Sequence, residues 1–168
     1  MNRHVLSTLR SLSVALLWLA VLCLAAAITR SPFLIAQTHS VPPGFSITLE
    51  RTGCLGSCPE YKVTILADGS VHYNGEFHVH VKGARSKTIP VSNVERLVRR
   101  LQNEDFFTWE EKKEVCLDFP EVHITVTLNG QHKHVLEGCN EPGRVLSLAD
   151  TVDEVAGIKR WAGPEEMP

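Results

Sequence analysis

The sequence has no surplus of positive charge. Seventeen lysines and arginines stand against nineteen aspartates and glutamates, a formal net charge of -2. That balance offers no footing for nucleic acid, which proteins grip through clustered basic side chains. No long run of one sign interrupts the mixture, so the charges describe an ordinary solvated surface. Internal repeats and low-complexity tracts are also missing, which leaves an ordinary folded domain rather than a solenoid or a biased linker.

The signatures of common chemistries are missing too. No phosphate-cradling glycine loop, zincin helix or kinase signature occurs. Ser57 sits between two cysteines without a histidine or acid in a nucleophile-elbow context. Glu110, Glu111, Glu114, Asp118 and Glu121 gather in one stretch. Nothing sets two of them across a scissile bond, so a solvated acidic loop is expected. The expectation is a non-catalytic chain with no cofactor and no nucleic-acid partner.

What is present begins at the N-terminus. Between Arg10 and Arg30, residues 11–28 carry no charge. A run of about 18 apolar residues is the lower limit for a helical membrane span. It is also only a little longer than the apolar core of a secretory signal. Ala25 and Ala27 supply small residues at the spacing of a signal-peptidase site. A retained anchor and a cleaved signal therefore both stay open, and Arg30 and the length of the run favour the anchor. Cys23 follows the large Leu22 and lacks a lipid-attachment context. In either case the basic N-terminus stays in the cytoplasm and the rest is exported, to the periplasmic side of the membrane. Residues 1–30 are read as anchor or signal peptide, 31–44 as a linker with Pro32, Pro42, Pro43 and Gly44, 45–161 as the exported domain, and 162–168 as a flexible tail.

Cysteine usage agrees with export. Outside the apolar segment lie Cys54, Cys58, Cys116 and Cys139. An even number in a small exported domain points to disulfides, and four cysteines allow three pairings. Cys54 with Cys58 and Cys116 with Cys139 is the favoured set. Counting outward from Asn129-Gly130 puts Cys139 opposite about Pro120, within reach of Cys116. Closed loops of this kind contribute roughly 2–4 kcal/mol each.

Hydrophobic periodicity gives the fold. Residues 45–51 and 60–66 alternate and read as strands, 71–73 as a short third and 77–81 as a fourth. Asp68-Gly69 and Asn74-Gly75-Glu76 carry hairpin chemistry. A three-residue loop with Gly69 in the left-handed region pairs Ile65 with Val71 and Val63 with Tyr73. Ser92 and Glu95 form a capping-box signature ahead of an apolar stripe at Val94, Leu97, Val98 and Leu101. A hairpin turning at Asn129-Gly130 follows, over 122–128 and 131–137. A second amphipathic helix runs from about Pro142 through Val145, Leu148, Ala149, Val152 and Val155 to a cap at Gly157. The expected class is α+β: an antiparallel sheet built as a four-strand meander, helix, hairpin and helix, with two helices on one face.

Histidine is the remaining oddity. Six of the eight fall in expected strands: His72, His78, His80, His123, His132 and His134. Pairing Tyr73 with Phe77 would set His72 across from His78 on the outer face, with His80 beside them, a possible seat for zinc, copper or nickel. His123, His132 and His134 fall on the polar face of the late hairpin. Below about pH 6.5 such a face gains charge.

The segment Cys54-x-Gly56-x-Cys58-Pro59-x-Tyr61-x-Val63, followed by Asp68-Gly69-x-Val71-x-Tyr73-x-Gly75, resembles the opening of an uncharacterised bacterial family, the domain of unknown function numbered 6438. Asp105-Phe106-Phe107 after a helix and a late Trp161 extend the likeness across about residues 45–161. The resemblance implies an exported, often membrane-attached domain and supplies no activity. Residues 54–59 also resemble the copper motif of thioredoxin-like periplasmic chaperones, which sits at a helix start, whereas a strand follows here. The leading expectation is an exported, membrane-tethered interaction module with a protein or envelope partner. The alternative is a periplasmic copper, zinc or thiol-redox protein using the paired cysteines or the histidine face.

Overall fold

A computed structural model describes residues 41–110, 118–138 and 143–163. Six strands form one antiparallel sheet: β1 (Ser46–Arg51), β2 (Glu60–Leu66), β3 (Ser70–Phe77), β4 (Gly83–Thr88), β5 (Val122–Leu128) and β6 (Gln131–Glu137), in the spatial order β4-β3-β2-β1-β5-β6. The helices are α1 (Val91–Asn103), α2 (Arg144–Ala156) and the short α3 (Lys159–Ala162), with a 3-10 turn at Phe106–Thr108. The class is α+β.

Alternation dictates which face of the sheet is buried. Ile47, Leu49, Val63, Ile65, Val71, Ile124, Val126 and Val135 point one way and are sealed from solvent. Their neighbours Thr48, Thr64, His72, Thr125 and Thr127 point the other way, on a polar face. The apolar stripes of α1 (Val94, Leu97, Val98, Leu101) and α2 (Val145, Leu148, Ala149, Val152, Val155) join the same core cluster. At roughly 25 cal/mol per Å², burial on this scale is the main favourable term of the fold. Arg100 of α1 fastens the two helices, donating to Ser147 O (3.1 Å), to Ser147 Oγ (2.9 Å) and to Thr151 Oγ1.

The turns follow their chemistry. Gly69 has φ +85°, and Ile65 pairs with Val71 and Val63 with Tyr73. Asn129 and Gly130 both have positive φ, the pattern of a type I′ turn, and set Leu128 opposite Gln131. Gly157 closes α2 in the left-handed region.

Three expectations are corrected. The hairpin at Asn74-Gly75-Glu76 does not form: β3 continues through it to Phe77, with a bulge at Glu76 in its pairing to β2. Gly75 serves close approach, since a Cβ there would strike the Val81 carbonyl, the Tyr73 hydroxyl and Val79. The fourth strand is therefore Gly83–Thr88, not 77–81. Its sequence Gly-Ala-Arg-Ser-Lys-Thr has no apolar alternation because it is an exposed edge, and Arg85 and Lys87 suit such an edge. The capping box is also absent. Helix α1 starts at Val91 behind Pro90 with no side-chain cap. Docking of the preceding residue sets that start: Ile89 is buried and its N–H donates to Gly69 O at 2.9 Å. Two elements come in addition to the expected two helices, the 3-10 turn and α3. The 3-10 turn buries Phe106 and is followed by the buried Trp109, whose indole N–H donates to Glu104 O at 2.7 Å.

Among the described residues no helix is long and apolar enough to cross a membrane. Residues 1–30, the linker up to residue 40, Cys116, Cys139 and Pro142 lie outside the described residues.

The role of Gly75 gives a direct test. Gly75→Ala is expected to destabilise the domain by about 1–3 kcal/mol through overpacking, whereas Asn74→Ala on the exposed face should stay within about 0.5 kcal/mol. Urea midpoints of the two variants separate close approach from a turn at this position.

Candidate functional site

The loop between β1 and β2 is closed by a disulfide between Cys54 and Cys58, with Cα atoms 5.6 Å apart. The ring is small, and its tip, Leu55, is 80% exposed. Phe119, half-exposed, lies in the segment leading into β5. The staple borders a cleft of about 130 Å³ in which Pro59, Pro120, Val122 and Leu146 supply apolar walls and Arg51, Glu121 and Glu137 the charges.

Register explains why charges meet there. Tyr61, Arg51, Val122 and Glu137 stand side by side across β2, β1, β5 and β6. All four have the inward parity of the core, so two charged residues point under α2. Helix α2 answers them. The Arg51 guanidinium donates to Asp153 Oδ2 from Nε (3.1 Å) and Nη2 (2.9 Å), and Nη2 also reaches Asp150 Oδ1 at 2.8 Å. The Tyr61 hydroxyl donates to the same Asp153 oxygen at 2.8 Å. Glu137, only 4% exposed, accepts the Leu146 N–H at 3.0 Å. That N–H is one of the donors left over in the first turn of α2, where negative charge is favoured. Gly143 makes room for it, since a Cβ there would collide with the Glu137 carboxylate.

Burial and pairing act in opposition on these groups. Burial works against the Arg51 charge, but Asp153, with Tyr61 and Asp150, outweighs it and holds the guanidinium above its ordinary pKa. Burial pushes the Asp153 carboxyl up, and Arg51 and the Tyr61 hydroxyl pull it back only in part. The Tyr61 phenol is raised by burial and then by Asp153. Tyr73 is pushed up to about 12 by the same two causes. Beside it, the Trp161 carbonyl accepts the Tyr73 hydroxyl at 3.1 Å and Lys87 lies over the Trp161 ring. The network carries charge yet binds itself together: it is a strut between sheet and helix.

The residues expected from sequence divide sharply. Cys54 and Cys58 are joined; Cys116 and Cys139 lie outside the described residues. The expected grouping of His72, His78 and His80 is not made. His72 pairs with Ser86 of β4 and lies 3.1 Å from its Oγ. His78 follows the end of β3 with φ +52°, and the His80 N–H donates to Gly163 O. The missing hairpin at Gly75 is the reason. The late hairpin does gather histidines. His123 Nδ1 is 3.2 Å from His134 Nε2, and His123 Nε2 is 3.0 Å from Glu121 Oε2. His132 lies 3.1 Å from Thr127 Oγ1. Among the described residues no three His, Cys, Asp or Glu side chains are grouped to hold a metal ion by themselves. Sequence reasoning missed Arg51, Glu137 and Asp153. The signal was there in Arg51 and Glu137, charges at the inward parity of strands.

Two measurements test the strut. Arg51→Ala leaves Asp153 buried beside Tyr61 without its cation and should cost about 2–3 kcal/mol in urea unfolding. Removing Asp153 as well should cost less than the sum of the single changes. The chain has two tyrosines, Tyr61 and Tyr73, so absorbance at 295 nm follows only these. In the folded state neither should ionise at pH 10, whereas in urea both should titrate near about 10. Because both folded values are raised, the stability they contribute is complete below the unfolded value and is lost as pH rises through about 12 for Tyr73.

No curated protein matches this sequence. The sequence profile of one family matches residues 45–156, from the residue before β1 to the last residue of α2. That span holds the stapled loop, the strut and the histidine hairpin, and it is about two thirds of the chain. The protein belongs to the family described as a domain of unknown function, DUF6438.

Proposed function

We propose that the chain is an exported, membrane-tethered interaction module that meets a protein partner of the cell envelope with its stapled end. One observation carries this reading: the Cys54–Cys58 ring, which borders a cleft at Cys58, holds an apolar side chain, Leu55, out in solvent. A five-residue ring fixed by a disulfide loses little conformational freedom on binding, and this favours recognition. Around it, the charges of Arg51 and Asp153 and the Tyr61 hydroxyl are engaged in holding α2 to the sheet. Contact with a partner then falls to Leu55, Phe119 and the two prolines. The uncharged residues 11–28 support the tether. A disulfide in a small domain supports an oxidising compartment, on the periplasmic side of the membrane.

The alternative of metal or thiol-redox chemistry at the paired cysteines finds less support. The thiols are joined in a loop that runs into a strand, away from any helix N-terminus that would lower their pKa.

Location and contact are tested together in cells producing the full chain. The intact polypeptide, Met1 included, should sit in the membrane fraction, with Cys54 and Cys58 unreactive to a maleimide until reduced. A photo-crosslinking residue at position 55 should give a discrete adduct that is absent when the probe stands at position 72. Leu55→Asp should leave stability within about 0.5 kcal/mol and lower yields of adduct formed from position 119. A soluble chain with reduced cysteines inside the cell would overturn the export reading. Equal crosslinking from positions 55 and 72 would overturn the assignment of the stapled end.

A further inference from the structure

The polar face of the sheet, opposite the core, carries a second constellation. His123 of β5 and His134 of β6 are diagonal neighbours, because Thr125 is the direct partner of His134. Their facing nitrogens, Nδ1 of His123 and Nε2 of His134, are 3.2 Å apart, and the rings are tilted by 35° with centroids 5.4 Å apart. Two nitrogens bound at about 2.0–2.1 Å to one tetrahedral metal lie about 3.3–3.4 Å apart. The hairpin therefore holds two imidazoles at the spacing of a shared ion. The other nitrogen of His123 meets the Glu121 carboxylate at 3.0 Å. This is the arrangement in which an outer carboxylate fixes the tautomer and orientation of a metal-binding histidine. Glu121 is itself anchored: its N–H donates to Thr52 Oγ1 at 2.8 Å and its carbonyl accepts the Thr52 N–H at 3.0 Å. Glu50 is the direct partner of His123 on β1 and adds a second carboxylate, balanced by Lys62 at 2.6 Å.

We propose that His123 and His134 bind one divalent transition-metal ion on the polar face of the sheet, with Glu121 as the positioning residue. Two protein ligands leave the remaining coordination positions to water or to a partner's donor groups, so the site is open and exchangeable. Imidazole nitrogen suits Cu²⁺, Ni²⁺ and Zn²⁺, and among these Cu²⁺ binds a given nitrogen site most tightly. His72, at the far side of the sheet beside Ser86, takes no part.

The test uses the full chain in detergent, produced without a histidine tag, and Cu²⁺ as the probe. One equivalent should bind per chain, with an electron paramagnetic resonance spectrum showing two coordinated nitrogens. His123→Ala and His134→Ala should each weaken binding at least tenfold, and His72→Ala should leave it unchanged. Glu121→Gln should weaken it by about tenfold or more while both ligands remain. All the substituted side chains lie on the polar face, and circular dichroism checks that the variants fold. A second measurement needs no variant: bound Cu²⁺ should protect His123 and His134, and not His72, from diethylpyrocarbonate. No uptake at one equivalent, unchanged affinity in the two histidine variants, or protection that bypasses His123 and His134 would overturn the proposal.

Discussion

The domain depends on how one end of the sheet tolerates an arginine among its inward-facing residues. Arg51 occupies the position that Leu49 and Ile47 hold further along β1, where apolar contact would be the simple solution. A guanidinium there has to exchange water for fixed acceptors, because an unpaired buried charge costs far more than a lost apolar contact. Asp153 and Asp150 meet the requirement, and the Tyr61 hydroxyl donates to the same Asp153 oxygen. The consequence is geometric. Helix α2 cannot slide or rotate on the sheet without separating those groups, while an apolar stripe alone would tolerate some slip. Glu137 adds a second fixed point at the first turn of the same helix. The two contacts, at Leu146 and Asp153, are about two helical turns apart and define both the position and the polarity of α2 on the sheet.

That strut also couples the stapled loop to the rest of the fold. Arg51 ends β1, Cys54 opens the disulfide ring three residues later, and Tyr61 sits one residue into β2. The loop is therefore pinned at both stems by residues that grip α2. A ring closed by a disulfide but loosely rooted would present Leu55 in many orientations. Rooted as it is, the ring presents it in few, and this makes the stapled end a plausible recognition surface in the proposed role.

Much of the architecture was legible because local chemistry and burial agreed. Gly69 and Asn129-Gly130 sit where positive φ is needed, and the alternation around each turn admits one register. The stripes of α1 and α2 needed no tertiary information. Legibility failed where a residue serves a distant partner. Gly75 has the company of a turn glycine, but its lack of a side chain accommodates Val81 and Tyr73. Strand β4 pairs through its backbone while its side chains face water, so periodicity was silent. Ser92 and Glu95 spell a cap, yet the docking of Ile89 starts the helix two residues earlier. The candidate site was legible in half. The cysteine ring follows from spacing, whereas Asp153 looks like any surface acid of an amphipathic helix until Arg51 is placed beneath it.

The fate of the histidines shows how strongly register governs a site. Without the hairpin at Gly75, His72 pairs with Ser86 in place of His78, and the same alternation rule, applied to a turn that does form, set His123 diagonal to His134. The two hairpins have similar histidine content and differ in what fixes them. Asn129-Gly130 is held by its own backbone preference, and at the opposite end of β5 Thr52 and Glu121 clamp the β1–β5 border with two hydrogen bonds. A pair of ligands gains affinity from being held in place before the ion arrives. The pairing of β5 to β1 and to β6 supplies that here, and the acidic group behind His123 is anchored by the same border. The stapled end and the histidine pair thus both flank the end of β1, on opposite faces of one sheet. Glu121 belongs to both, lining the cleft beside the staple and meeting His123 with its carboxylate.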